Sequence, residues 1–290
     1  MTYGAALKYA LDTLEPMNLL MADLEARELV AAASESAGMI VNARDVRVLQ
    51  GIEAPEDLRE ELDLLLERRL RGEPLAYIIG QWDFYGITLE VNPDVLIPRA
   101  DTETLIEPAL GFLKDIPSPR VLDLCCGSGA IGIAILKNNP RAECVFADIS
   151  QPALRVCKRN LQKYDLEARG ETLCLDATEP APSSLGCFDL IVCNPPYISS
   201  EEMNALSVDV AGFEPNGALY GGYDGLSFYR AISVNFRPNI KDGGHILFEH
   251  GAYQSFDVCS ILSDNGYGDI IKYEDLNQYQ RAVSARYLLR

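Results

Sequence analysis

From Arg120 onward, short apolar runs of strand length alternate with helix-like stretches, and no other feature constrains the fold as strongly. The strand-like runs are Val121–Cys125, Cys144–Asp148, Thr172–Leu175, Leu190–Cys193 and His245–Glu249. Apolar residues at helical spacing in Ile131–Lys137, Pro152–Tyr164 and Leu226–Phe236 separate several of them. Nearly continuous apolar strands that alternate with helices predict an α/β domain, its sheet mainly parallel and covered on both faces. Arg281–Leu289 has mixed polarity and is expected to add an antiparallel strand.

Upstream the pattern is helical only. Leu24, Leu29, Val30 and Ala33 repeat at helical spacing, as do Leu58, Leu62, Leu65, Leu66 and Leu70. Asp45 is expected to cap a short helix after Asn42, and Pro55 to sit in a first helical turn. The period then changes: Trp82–Val91 alternates aromatic and β-branched residues before Asn92-Pro93, which predicts a hairpin. The expected domains are a helical domain over 1–76, a β-hairpin linker over 77–95 and a catalytic domain over 96–290. Leu96-Ile97-Pro98-Arg99 leads into a helix expected to begin near Asp101 or Thr102.

Composition narrows the partners. The 290 residues are 48% apolar and carry a net charge of −18. Binding a polyanion needs a basic patch, so nucleic acid is not the expected substrate. The longest basic cluster, Arg68-Arg69-x-Arg71, lies on an otherwise acidic helix and reads as a solvated face. No run of about 18 uncharged apolar residues occurs, and no basic-then-apolar leader opens the chain. A soluble cytoplasmic protein without a membrane partner is expected. The eight cysteines lack a C-x-x-C pair, and the thiols of adjacent Cys125 and Cys126 diverge, so reduced thiols and no metal are expected.

Two segments carry chemistry. Asn194-Pro195-Pro196-Tyr197 closes the run Asp189–Cys193. Successive prolines lack N–H donors and end strand pairing. The resulting stiff turn offers the Asn194 side chain, free carbonyls and the Tyr197 ring as an acceptor clamp for a planar NH2 group. The second segment runs from Val121 through Asp123, Cys125, Cys126, Gly127, Ser128 and Gly129 into a helix. A glycine turn between strand and helix lets backbone approach a ligand at the carboxyl ends of the strands. Gly127-x-Gly129-x-x-Gly132 also satisfies the dinucleotide string. Asp148 ends the next strand, suited to take both hydroxyls of a ribose or to cap the helix at Pro152. Asp176, followed by Ala177, either meets an adenine amino group or caps a turn at Thr178. With an NH2 clamp on the fourth strand and no hydride-transfer partner visible, S-adenosylmethionine fits better than nicotinamide.

Taken together, Ile97-Pro98-Arg99-x-Asp101-Thr102-Glu103, the Asp123–Gly129 loop, Asn194-Pro195-Pro196-Tyr197, Phe213-Glu214-Pro215 and Leu247-Phe248-Glu249-His250-Gly251 resemble the HemK/PrmC family. The resemblance spans 74–290 in order. It implies a class I, Rossmann-like S-adenosylmethionine-dependent methyltransferase domain with a mainly parallel seven-stranded sheet after a small all-α domain. It implies methylation of the glutamine amide nitrogen in the Gly-Gly-Gln motif of a peptide chain release factor. Glutamine methylation of a ribosomal protein is a near neighbour, and DNA adenine methylation is disfavoured by charge. The expected catalytic residues are Asn194, Pro195, Pro196 and Tyr197. Asp123, the Cys125–Gly129 loop, Asp148, Asp176, Ala177 and Asn194 would hold the cofactor, with Arg99, Thr102 and Glu103 near its methionine end. Two departures stand out: Cys125 where the family has glycine, and Asn277–Arg281 without the usual acid beside the arginine.

Overall fold

The computed structural model describes residues 1–206 and 212–289. The chain divides into two compact units, Met1–Gln81 and Trp82–Arg290.

The first unit is helical. It contains α1 (Tyr3–Leu14), α2 (Ala22–Ser36), α3 (Leu58–Leu70) and the short α4 (Leu75–Ile79). Leu7, Ala10 and Leu14 face inward from α1, Leu29, Val30 and Ala33 from α2, and Leu58, Leu62 and Leu66 from α3. Those are the i, i+3, i+4 stripes that drive bundle formation. Thr2 caps α1 by accepting the Ala5 N–H at 3.3 Å. Arg69 of α3 pairs with Glu25 of α2 at 2.6 Å, both largely shielded from solvent. Asp45 does not cap a helix. It ends a three-residue 3₁₀ turn, Ala43–Asp45, and its carboxylate takes the Asn42 amide at 3.2 Å.

A hairpin of β1 (Gln81–Phe84) and β2 (Ile87–Glu90) opens the second unit. Its two-residue loop, Tyr85-Gly86, has φ of 45° and 75°, both positive as a type I′ turn requires. Expected as a linker, the hairpin is bound into this unit through α7 (Gln151–Lys163). The Asn160 side chain accepts the Glu90 N–H at 2.7 Å and donates to the carbonyls of Glu90 at 3.0 Å and Ser128 at 2.9 Å. One side chain thus holds the hairpin to the glycine loop.

After the hairpin the chain forms a 3₁₀ turn, Ala100–Leu105, that becomes α5 (Ile106–Leu113). The sheet is built from β3 (Arg120–Leu124), β4 (Glu143–Asp148), β5 (Gly170–Cys174), β6 (Phe188–Cys193), β7 (Ile240–Glu249), β8 (Gly268–Glu274) and β9 (Gln280–Arg286), in the order β5-β4-β3-β6-β7-β9-β8. The five strands from β5 to β7 are parallel, and β9 pairs antiparallel with both β7 and β8. α5, α6 (Ala130–Asn138) and α7 contribute to one apolar core, and α9 (Ser227–Asn235) and α10 (Ser255–Asp264) to the other; α8 is the single turn Ser200–Met203. β8 is an edge strand with mostly exposed side chains, so Gly268–Glu274 shows no apolar run in the sequence. The chain travels outward from β3 to β5 and then returns to β6, which opens a crevice at the carboxyl ends of β3 and β6. No helix among the described residues is long and apolar enough to cross a membrane.

Candidate active site

The crevice is a cavity of about 470 Å³ lined by residues from the loops after β3, β4, β5 and β6 and from the 94–102 segment. Its floor is set by a close approach of helix to sheet. A Cβ on Gly132 would sit 2.3 Å from Phe146 Cε1 of β4, so only glycine lets α6 begin here. The Gly132 N–H donates to Asp123 Oδ2 at 2.9 Å. Asp123 is fully buried, its other oxygen has no hydrogen-bond partner among the described residues, and burial pushes its carboxyl up to about 7. Asp123 therefore anchors the helix behind the loop instead of lining the cavity.

Cys125 occupies the first loop position with φ of 56°, a left-handed conformation that a side chain makes costly. Cys125, Cys126, Gly127 and Ser128 line the cavity; Gly129 does not, because its α-carbon faces Cys157 of α7 as the N-cap of α6. The Cys193 thiol, against Cys125, and the Cys126 thiol, against Cys157, are both pushed well up by burial. They remain protonated and inert as nucleophiles.

Asp148, at the end of β4, lines the same wall. Its Oδ2 accepts the Gly127 N–H and its Oδ1 the Ser150 N–H, each at 2.9 Å. Burial raises its pKa while those backbone donors hold it down. The carboxylate is thus fixed, with lone pairs left over for a pair of hydroxyls. The next residue, Ile149, is 64% exposed and lines the cavity, an apolar surface beside a polar anchor. Asp176 also lines it, and its Oδ1 takes both the N–H and the hydroxyl of Thr178, at 2.8 and 2.6 Å. The turn-capping role of Asp176 is thus present, and its second oxygen stays available. Ala177 lies beside it on the wall.

At the other end, Thr102, Arg99, Asn194 and Pro196 line the cavity. The Asn194 amide donates from Nδ2 to Thr102 Oγ1 at 3.2 Å. Arg99 Nη2 is held at 2.6 Å by the buried carboxylate of Glu214, from the Phe213-Glu214-Pro215 segment. Glu103, expected near the methionine end, is elsewhere: its Oε1 accepts the Tyr85 N–H at 2.8 Å, tying the 3₁₀ turn to the hairpin. Pro195 is buried behind the wall, and Tyr197 packs on the α9/α10 side of the core with its hydroxyl 3.4 Å from Glu249 Oε1. Neither lines the cavity. The acid absent beside Arg281 in the sequence is supplied from a distance, by Asp275 at 3.1 Å and Asp101 at 3.0 Å. Leu96, Pro98, Ile149 and Phe228 are wall residues that sequence reasoning missed. Only Ile149 left a signal, as an apolar residue immediately after the strand-ending acid.

The Methyltransferase small domain model matches residues 105–210 and the PrmC N-terminal domain model matches residues 5–80. The Release factor glutamine methyltransferase of Neisseria gonorrhoeae is 37% identical over 265 residues, covering 91% of this chain and 93% of that protein. The enzyme of the same name from Bordetella pertussis is 41% identical over 224 residues, covering 77% of this chain and 81% of that one. A solved methyltransferase from Pyrococcus furiosus shares the fold, with a TM-score of 0.50 and 14% identity over 77% of this chain and 98% of its own. S-adenosylmethionine is the cofactor of such methyltransferases, and the cavity fits it: the backbone-fixed Asp148 for ribose hydroxyls, Ile149 for an apolar ring face, and a loop of small residues for close approach. With sequence relatives over most of its length, both domain models and the expected sheet, the chain belongs to the release factor glutamine methyltransferase family.

Proposed function

We propose that the chain transfers a methyl group to the side-chain nitrogen of glutamine in the Gly-Gly-Gln motif of a peptide chain release factor, in the cytoplasm. The observation that carries this reading is the Asn194–Thr102 hydrogen bond. It engages the NH2 end of Asn194 and leaves its carbonyl oxygen as an acceptor at the cavity wall. When bound, S-adenosylmethionine supplies a sulfonium methyl group, an electrophile with its own leaving group.

In this reading the Asn194 carbonyl and the Pro195 carbonyl accept the two N–H bonds of the substrate amide. That orients the nitrogen lone pair toward the place the sulfonium methyl would occupy, and the methyl would replace one amide hydrogen, which leaves as a proton. Pro196 stiffens the turn and Tyr197 supports it from behind. Asp148, Asp176 and the Cys125–Ser128 loop hold the cofactor, and residues 1–76 dock the protein substrate, joined by the 77–95 hairpin. Rate comes from orientation and desolvation more than from proton transfer.

The test is mass spectrometry of a full-length release factor after incubation with the enzyme and S-adenosylmethionine. One added methyl on the Gly-Gly-Gln glutamine is expected, and its loss in Asn194→Ala with cofactor binding retained. Methylation confined to a ribosomal protein or to duplex DNA in parallel reactions would overturn the reading.

A further inference from the structure

We infer that Gln254 is a positioning residue for the methyl transfer: its side-chain amide clasps the exit of the Asn194–Tyr197 turn and so fixes where the acceptor carbonyls point. The inference rests on the glutamine reading above and adds to it a residue from the N-cap of α10.

Proline fixes φ but leaves ψ free, and it brings no N–H with which to pin itself. The Asn194-Pro195-Pro196-Tyr197 turn therefore holds its shape only if both of its ends are tied down. The entry is tied by the sheet, where Cys193 pairs in parallel register with Leu124 of β3 and Phe248 of β7. The exit is tied from outside the sheet. Gln254 Nε2 donates to the Tyr197 carbonyl at 2.9 Å, and the Ile198 N–H donates to the Leu219 carbonyl at 2.9 Å. With both ends fixed, the peptide planes between them have little freedom to turn, and one of those planes carries the Pro195 carbonyl.

The clasp closes in one sense only. Gln254 Oε1 accepts the Gly251 N–H at 3.0 Å, while Nε2 faces two carbonyls, that of Tyr197 and, at 3.5 Å, that of Gly225. A donor on one side and acceptors on the other settle which end of the amide is which. The segments around it come too close for any side chain. A Cβ on Gly225 would lie 2.3 Å from the Tyr197 carbonyl oxygen and 2.5 Å from Gln254 Nε2, and one on Gly221 would lie 2.6 Å from the Pro196 carbonyl oxygen. Turn, clasp and the 221–225 loop are thus packed with backbone against backbone, so a shift of one carbonyl is passed to the next. Gln254 itself does not line the cavity, and its influence on the reaction runs through the turn.

The test compares wild type, Gln254→Glu and Gln254→Met in steady-state methylation of a release factor. Cofactor affinity and melting temperature are measured alongside. Gln254→Glu keeps the size and the acceptor for Gly251, but turns a carboxylate oxygen toward the Tyr197 carbonyl in place of a donor. Gln254→Met keeps the approximate size and removes both bonds. In each variant kcat is expected to fall on the order of 10- to 100-fold, because a misplacement of about 1 Å at the reacting atoms costs that much. KM for the release factor and the cofactor Kd are expected to stay near wild type, and the melting temperature to fall by no more than about 4 °C. Wild-type kcat in either variant overturns the inference. So does a raised KM at unchanged kcat, because Gln254 would then serve substrate docking. A loss of rate matched by weaker cofactor binding or by a larger fall in melting temperature also overturns it, because Gln254 would then hold the fold. No methylation by the wild type overturns the glutamine reading instead.

Discussion

Gly132→Ala measures how tightly the cofactor loop is clamped to the sheet. Elsewhere in a helix, glycine to alanine stabilises by up to about 1 kcal/mol, since alanine restricts the unfolded chain. Here the new Cβ would lie 2.3 Å from Phe146 Cε1, 2.7 Å from Cζ and 2.9 Å from Cys144 Sγ. Carbon atoms in contact rest at about 3.5–4.0 Å, so the ring has to retreat by more than about 1 Å. Phe146 is fully buried and has no room to do so. Overpacking of this kind costs about 1–3 kcal/mol, and three buried atoms on two side chains place it at the upper end. Net of the helix gain, a destabilisation of about 1–2 kcal/mol is expected, or a fall in Tm of about 2–8 °C for a domain of this size. The backward shift of α6 also stretches the Gly132–Asp123 hydrogen bond behind the loop, so cofactor affinity should weaken with stability. Scanning calorimetry and cofactor titration check both. Phe146→Leu in the same chain should recover part of the loss, because the shorter side chain vacates the space the methyl needs. A Gly132→Ala protein as stable as wild type, with unchanged cofactor binding, would refute the reasoning.

Two further predictions follow from the loop. Cys125→Gly removes a side chain from a φ of 56° and should stabilise the protein by about 0.5–1 kcal/mol, read as a small rise in Tm; a clear fall would mean that packing against Cys193 outweighs the strain. Asp123→Asn tests the buried carboxyl by its pH dependence. Because the folded pKa, about 7, is raised above the ordinary 3.8, the stability this group contributes is complete below pH 3.8 and is lost as pH rises through 7. Asparagine does not titrate, so between pH 5 and pH 8 urea unfolding should shift in favour of the variant by about 3 kcal/mol relative to wild type. A difference independent of pH would show that Asp123 is ionised across the range.

The alternation after Arg120 was enough to read the α/β class, because a strand buried on both faces has to be apolar along its length. The glycine loop, Asp148 and the strand-ending Asn194-Pro195-Pro196-Tyr197 were legible for a related reason. Each sits at the carboxyl end of a strand, and strand ends are visible in one dimension. β8 was not visible, since Gly268–Glu274 is an edge strand that buries little and so leaves no apolar run. Nor did local pattern reveal that Glu103 serves the hairpin, or that the acid for Arg281 comes from Asp275 and Asp101. Thr102 shows the difference most directly. By sequence it read as the start of a helix and a contact near the methionine end of the cofactor. Folding brings Thr102 to the cavity wall, where its hydroxyl oxygen accepts the Asn194 amide at 3.2 Å. Residue type and strand ends determined which chemistry the chain can perform. The tertiary structure decided which way each polar atom faces, because hydrogen-bond direction is set by neighbours that lie far away in sequence.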